Sequence, residues 1–286
     1  MPEATPIYIH INPFEFDFSS ELDESLWTTS ELPCYTQYSI QQTKKFCSSE
    51  IHLITKSTVK QFESEITKFF NLCKAGFPSF YTDPFWFITT VRLYVLYLYA
   101  EKYKINNFFH LENDNVIYAS PTAFERLSEG CYFSQVGPEM GSAGIMYVNN
   151  INSLASVVCN LTKLITKGEN KIRKFTNYSQ LSEMIMIDLL VRGNKAEYLP
   201  LFPTDKFFDS TNCVFDGASY GQYLGGTNNG DSPGWFAQWH HLGQLLAKQE
   251  ISVSLENGIP GGILKNKRFS IFNLHIHSKK LDLFVQ

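Results

Sequence analysis

The sequence has no long run of lysine or arginine, no C-x-x-C pair, no G-x-G-x-x-G turn after a first strand and no unbroken apolar stretch long enough for a bilayer. Each absence removes a class of function. Without a basic run, and with a net charge of −4 and a pI near 6.0, the chain lacks the footprint of a protein that tracks nucleic-acid phosphates, so nucleic acid is not an expected partner. The six cysteines, Cys34, Cys47, Cys73, Cys131, Cys159 and Cys213, are spaced for neither a zinc ribbon nor a dithiol redox motif. They read as buried free thiols in a reducing compartment. The missing glycine pattern argues against a nicotinamide cofactor, and the missing G-x-x-x-x-G-K against a phosphate-binding P-loop. The most apolar segment, residues 84–100, carries Arg92 mid-way and is shorter than the ~20 residues of a membrane span. Residues 1–17 lack the basic-then-apolar order of a signal peptide. These readings predict a cytoplasmic protein without a transmembrane segment.

What remains is globular: 44% hydrophobic and 18% charged residues over a length of 286, enough to bury a sizeable core. With 24 Phe and 15 Tyr, most aromatics belong in that core, and a minority is free to stack on the C–H face of a sugar. Residues 7–11 read as a first strand ended by Pro13, and the β-branched run 51–55 as a central strand. Residues 35–45 are weakly helical. Across 58–73, Val59, Phe62, Ile66, Phe69, Phe70 and Cys73 recur at three- and four-residue steps, a helical period. Asp83 as N-cap and Pro84 after it open a helix over 85–103 that is apolar almost all round and therefore deep in the core. Arg92 within it needs an acid or a phosphate, because an unpaired buried guanidinium is too costly.

Farther on, residues 107–119 read strand, acidic break, short strand, and 121–127 begin a short helix. Strands at 132–136 and 145–148 flank a Gly-Pro turn and a Gly-Ser-Ala-Gly loop. Helices at 152–167 and 179–191 follow, then a long irregular stretch over 198–234 and a late strand over 269–277. The alternation predicts the α/β class: a single domain over 1–286, with a central mostly parallel sheet flanked by helices and an irregular Gly-rich C-terminal half.

The chemistry concentrates in two places. In Asn107-Phe-Phe-His-Leu-Glu-Asn-Asp-Asn115, Glu112 and Asp114 follow a buried strand, where ligand sites of open α/β sheets gather. Two apart on an extended chain, their side chains point the same way, and hard oxygens so spaced suit Mg²⁺ or Mn²⁺. The plainer reading is an acidic turn. Near the C-terminus, Asn273, His275 and His277 alternate with Phe272, Leu274 and Ile276, which puts the polar groups on one strand face. Two histidines there, with Lys279 beyond, suit the wall of a site; a half-exposed edge strand would read the same way. Within residues 215–234, Tyr220, Gln222, Tyr223, Asn228 and Asn229 lie among glycines that permit close backbone approach to a ligand. The Trp235–Trp239 cluster before His240 and His241 reads as core or as an acceptor-side wall.

The run FFHLENDNVIY resembles the acidic DXD element of GT-A glycosyltransferases in an E-x-D form, with Glu112 where the family has Asp. NLHIHSK resembles the late histidine that completes the metal site in many of them. The aromatic helix from Phe85-Trp86 to Arg92 is similar to one in that family, and FDGASYGQYLGG resembles bacterial and large-virus members. The resemblance implies a GT-A-like fold, with a donor-binding part over about 1–120 and an acceptor and metal-completing part over about 121–286. It implies a nucleotide-diphosphate sugar donor, UDP-sugars favoured, and a glycan or other hydroxyl acceptor. Mn²⁺ or Mg²⁺ would be held by Asp114 with His275 or His277. Glu112 would serve the ion or the donor's ribose, with Asn113 beside it on the donor. Arg92 would brace the acidic segment and Lys279 approach the diphosphate. For an inverting reaction Glu183 is the expected base, with Asp188 and Asp216 behind it; a carboxylate after Ser182 also fits a plain helix cap. The competing readings are a metal-dependent sugar-phosphate nucleotidyltransferase and a non-enzymatic carbohydrate-binding domain.

Overall fold

The structure, a computed structural model, describes residues 3–10, 32–79, 84–176, 181–226 and 251–285. The chain runs β1 (Thr5–His10), α1 (Cys34–Phe46), β2 (His52–Thr55), α2 (Lys56–Lys60), α3 (Glu63–Gly76), α4 (Pro84–Tyr103), β3 (Phe108–Leu111) and β4 (Asn115–Ile117). It continues through β5 (Cys131–Gly137), β6 (Met140–Val148), α5 (Ile151–Lys167), α6 (Glu169–Ile172), α7 (Glu183–Arg192) and β7 (Glu197–Tyr198). The last elements are α8 (Phe208–Thr211), β8 (Cys213–Val214), α9 (Tyr220–Tyr223), β9 (Ile251–Glu256), β10 (Ile259–Leu264), β11 (Lys267–Ile271) and β12 (Asn273–His275).

Alternation along the strands creates the layers. Ile7, Phe108, Phe133 and Met146 are buried with the helices α3, α4, α5 and α7. Their neighbours Tyr8, Phe109, Tyr132 and Tyr147 are buried on the opposite face with Phe124, Phe215 and Phe272. A strand covered on both faces loses the polar-out pattern, which is why these strands read as continuous apolar runs. The main sheet has the order β2-β1-β3-β6-β5-β7. β1 runs parallel to β2 and β3, β7 runs parallel to β5, and β6 is antiparallel to both β3 and β5. The sheet is therefore mostly parallel and flanked by helices, the expected α/β class. A second sheet, β8-β11-β10-β9, and the pair β12-β4 close the other end over a third apolar cluster that includes Val116, Leu274 and Ile276.

Helix α4 behaves as its composition requires. Val91, Leu93, Val95, Leu96 and Ala100 are all buried, and so is Arg92. In α5, Leu154, Val157, Val158, Leu161 and Ile165 form the inward stripe. The Asn150 side chain caps its start by accepting from the Asn152 N–H, and Gly168, with φ of 85°, stands at its end.

Several local expectations change. The run 51–55 is an edge strand, not a central one; β-branched content alone does not distinguish the two. The helix expected over 58–73 is two, α2 and α3, with Gln61 and Phe62 between them. The Gly-Ser-Ala-Gly segment is no loop but the middle of β6, fully buried. The strand expected over 269–277 breaks at Phe272, so that β11 joins one sheet and β12 another. Residues 251–271 form an antiparallel meander within the C-terminal half, which was expected to be irregular as a whole. Its first turn, Asn257-Gly258 with φ of 53° and 77°, is the Asn-Gly hairpin signal. All six cysteines are free, but Cys34 and Cys159 are exposed rather than buried. Pro13, Asp83, Asn228, Asn229, Trp235, Trp239, His240 and His241 lie outside the described residues. No helix among the described residues is long and apolar enough to cross a membrane.

Gly141 in β6 sets how closely α7 approaches the sheet. A Cβ there would stand 2.4 Å from Ile187 Cγ2 and 2.8 Å from Tyr198 Cε1. Gly141→Ala is expected to destabilise the fold by about 1–3 kcal/mol, the usual cost of overpacking, read as a lowered denaturant midpoint. An unchanged midpoint would mean that α7 does not depend on this contact.

Candidate active site

The site begins where β3 ends. Glu112 leaves β3 with its N–H bonded to the Gly144 carbonyl (2.8 Å), and the chain turns through Asn113 and Asp114 into β4. β12 then pairs antiparallel with β4, in the register His275 opposite Asn115. The Ile276 N–H donates to the Asp114 carbonyl at 2.8 Å. That pairing carries an imidazole from the end of the chain to two carboxylates from its middle. His275 Nε2 lies 3.1 Å from Glu112 Oε2 and 3.1 Å from Asp114 Oδ1. One ligand atom from each of Glu112, Asp114 and His275 falls within 4.8 Å of the others.

Each carboxylate divides its oxygens. Glu112 turns Oε2 toward His275 and Oε1 to Arg92 Nη1; Asp114 turns Oδ1 toward His275 and Oδ2 to Lys279 Nζ. Arg92 Nη2 donates in addition to Glu183 Oε1 at 2.9 Å, so one guanidinium ties the acidic turn to the first residue of α7. The other ring nitrogen of His275 is fixed: Nδ1 donates to the Gly217 carbonyl at 2.8 Å. A neutral His275 therefore presents the bare lone pair of Nε2 to two carboxylate oxygens. Three lone-pair donors converging without a cation repel one another, so either a proton or a metal ion belongs between them. Gly144 floors the triad, since a Cβ there would come within 3.1 Å of Glu112 Oε2 and 3.2 Å of His275 Nδ1. These groups, with Glu183 and Arg92, line a cleft of about 550 Å³.

The charges shape one another. Burial alone would raise Glu112 and Asp114. Arg92 and His275 outweigh it at Glu112, which is held well below its ordinary value. His275 and Lys279 outweigh it at Asp114, which is held at about 2. Burial would lower His275, but the two carboxylates win and keep it protonated well above its ordinary value. At Glu183 burial prevails: Arg92 pulls down, Glu112 pushes up, and the group rises to about 7. Burial, then Arg92, lowers His110 to about 3.

The other expected site residues fall in different places. His277 lines the cleft but not the triad. It meets Gln222 Nε2 through its Nδ1 at 2.9 Å and packs edge-on to His275; burial, then His275, lowers it to about 3. Asn113 also lines the cleft, with Nδ2 3.3 Å from His10 Nδ1. Asp188 and Asp216, expected behind Glu183 as bases, do not line it. Asp188 accepts from Tyr198 Oη at 2.9 Å and pairs with Arg192 at 2.6 Å. Asp216, completely buried, accepts the backbone N–H groups of Ser219, Tyr220, Gly221 and His275. It braces the segment that holds His275. Sequence reasoning missed Gly217, Gly144 and His110; a glycine inside an apolar strand run such as 140–148 is the signal for Gly144.

No family model and no curated protein matches the chain. Among solved structures it is similar to a glycosyltransferase involved in the glycosylation of the major capsid of PBCV-1 (14% identity, TM-score 0.33, covering 58% of this chain and 68% of that one). It is similar also to the apo form of the glycosyltransferase GlyE of Streptococcus pneumoniae TIGR4 (9% identity, TM-score 0.36, 69% of this chain, 45% of that one). A third likeness is to the apo form of mouse xyloside xylosyltransferase 1 (8% identity, TM-score 0.43, 73% of this chain, 92% of that one). The chain spans less than half the length of GlyE.

The raised Glu183 has a consequence for stability. Its ordinary value is 4.5 and its folded value about 7, so its contribution is complete below 4.5 and is lost as pH rises through 7. Between about pH 5 and 6.5, before His275 begins to contribute in the same direction, Glu183 pulls the melting temperature down as pH rises, against His110 and His277, whose values lowered to about 3 push it up over the same range. With that pull removed, the melting temperature of Glu183→Gln should rise more steeply with pH over this range than that of the unaltered protein. Parallel slopes in the two proteins would mean that Glu183 does not titrate there.

Proposed function

We propose that the chain is a metal-dependent glycosyltransferase that moves a sugar from a nucleotide-diphosphate donor, UDP-sugars favoured, to a hydroxyl of a glycan or other acceptor. The observation that carries this reading is the convergence of Glu112 Oε2, Asp114 Oδ1 and His275 Nε2, with the His275 ring locked by Gly217. The donor set fits a divalent ion. Two hard oxygens and an imidazole suit Mn²⁺ or Mg²⁺, and the outer oxygens of both carboxylates are already held by Arg92 and Lys279. When bound, the ion would supply positive charge to the departing diphosphate.

The chain's own residues do the rest. Arg92 fixes Glu112 and Glu183 in one frame, and its rigidity comes from the buried helix around it. Lys279, half-exposed at the mouth of the cleft, is able to leave Asp114 for a donor phosphate. Asn113 keeps Oδ1 without a partner among the described residues, an acceptor for a donor hydroxyl. Glu183 acts as base: at about 7 its carboxylate is matched to taking a proton from an acceptor hydroxyl near neutrality. Asp188 and Asp216 are committed to their structural partners.

Thermal shift with UDP tests the site directly. UDP is expected to raise the melting temperature only with Mn²⁺ or Mg²⁺ present, and EDTA to erase the rise. Asp114→Ala should lose the UDP shift and all transfer while remaining folded; a variant that transfers sugar at the wild-type rate would refute the metal site. Glu183→Gln should lower kcat by about 10²–10⁴-fold with the UDP shift nearly intact. Wild-type kcat in that variant would remove Glu183 from the chemistry.

A further inference from the structure

A second feature lies at the far end of α7. Glu183 opens that helix in the cleft, and its C-terminal end, about 15 Å away, borders a hollow lined by Lys163, Lys167, Lys171 and Lys195 around Leu164 and Leu189. All four lysines are exposed, and none pairs with an acid among the described residues. Every described exposed charge from 163 to 195 is a cation, because Glu169, Glu183 and Asp188 are buried. That concentration stands out on a chain of net charge −4. Phe175, four residues beyond Lys171, is 67% exposed, the most exposed large hydrophobic side chain described.

We propose that this face docks on an anionic bilayer surface, with the lysines against lipid headgroups and Phe175 entering the interface. Helix dipoles explain part of the cluster: Lys167 and Lys171 stand in the last turns of α5 and α6, where cations suit the free carbonyls. They explain neither Lys163, a turn further back, nor Lys195 beyond the end of α7, nor an aromatic ring left in water. A soluble polyanion needs only the charges. Cations around an apolar floor, with an exposed aromatic ring four residues along the chain from Lys171, match the headgroup boundary of a membrane. The docking needs no spanning helix and is independent of the chemistry in the cleft.

Co-sedimentation of the full chain with vesicles tests the proposal. Binding is expected to vesicles of equimolar phosphatidylcholine and phosphatidylglycerol, to be lost in high salt, and to be absent with phosphatidylcholine alone. Each lysine near such a surface contributes about fivefold to partitioning, so K167Q/K171Q/K195Q should bind about 100-fold more weakly, with a melting temperature lowered only slightly by the lost helix-end charges. Phe175→Ser should weaken binding while leaving its salt dependence in place. No binding to anionic vesicles, equal binding to neutral ones, or a triple variant that binds like wild type would overturn the proposal. Salt-sensitive binding of inorganic polyphosphate without vesicle binding would assign the face to a soluble polyanion instead.

Discussion

Three carboxylates in one cleft wall cannot stand alone. Asp114 and Glu183 are buried and Glu112 partly so, and an unpaired charge in such a setting is replaced by a proton or destabilises the fold. The chain answers with three cations: Arg92 from α4, His275 from β12 and Lys279 just after it. Most of what is unusual in the fold follows from bringing those cations in. An arginine sits in the middle of an otherwise apolar helix. The last strand leaves its sheet to pair with β4. A loop carbonyl holds a histidine ring by its far nitrogen.

The β4–β12 pair is the mechanical part of that answer. Asn273 donates to Asn115 Oδ1 (2.7 Å) and to the Asp216 carbonyl (2.9 Å), and its own Oδ1 accepts the Asp216 N–H at 3.1 Å. Asp216 in turn gathers four backbone N–H groups, one of them that of His275. Its carboxyl is raised by burial against those bonds, the mark of a structural brace rather than a solvent-facing acid. Gly221 lets this brace close: a Cβ there would meet the His275 carbonyl at 2.2 Å.

Much of the site was legible because local chemistry forces it. An arginine inside an apolar helix must find acids, and Arg92 finds two. Alternation along 272–277 separates Phe272, Leu274 and Ile276 from Asn273, His275 and His277, and the structure keeps that separation, although Asn273 serves the brace and not the cleft. What could not be read is what depends on distant partners. His275 rather than His277 meets the carboxylates because of the register with β4, and register is a property of two strands. The same holds for Asp188 and Asp216, whose spacing gives no hint of Tyr198 or of the turn at 219–221. The break at Phe272 is tertiary too: its ring packs against Phe109, Phe124 and Phe215, and that contact overrides the continuity of an extended run.

Several of the buried polar atoms left without a hydrogen-bond partner among the described residues stand in the cleft wall. Arg92 commits both terminal nitrogens and leaves Nε–H over. His110 gives Nδ1 to the Ile7 carbonyl at 2.9 Å and leaves Nε2 over. Asn113 leaves Oδ1 over. All three residues line the same cleft, and each such atom costs about 1–3 kcal/mol when buried without a bond. The fold has the means to avoid this, as it does at Tyr8, whose buried hydroxyl is met by both Ser39 and Thr43. Leftover atoms of both kinds, a donor on Arg92 and acceptors on His110 and Asn113, are open to the hydroxyls that the proposed sugar donor or acceptor would bring. Satisfying these atoms from within the chain would stabilise the fold and close the surface the ligand has to meet.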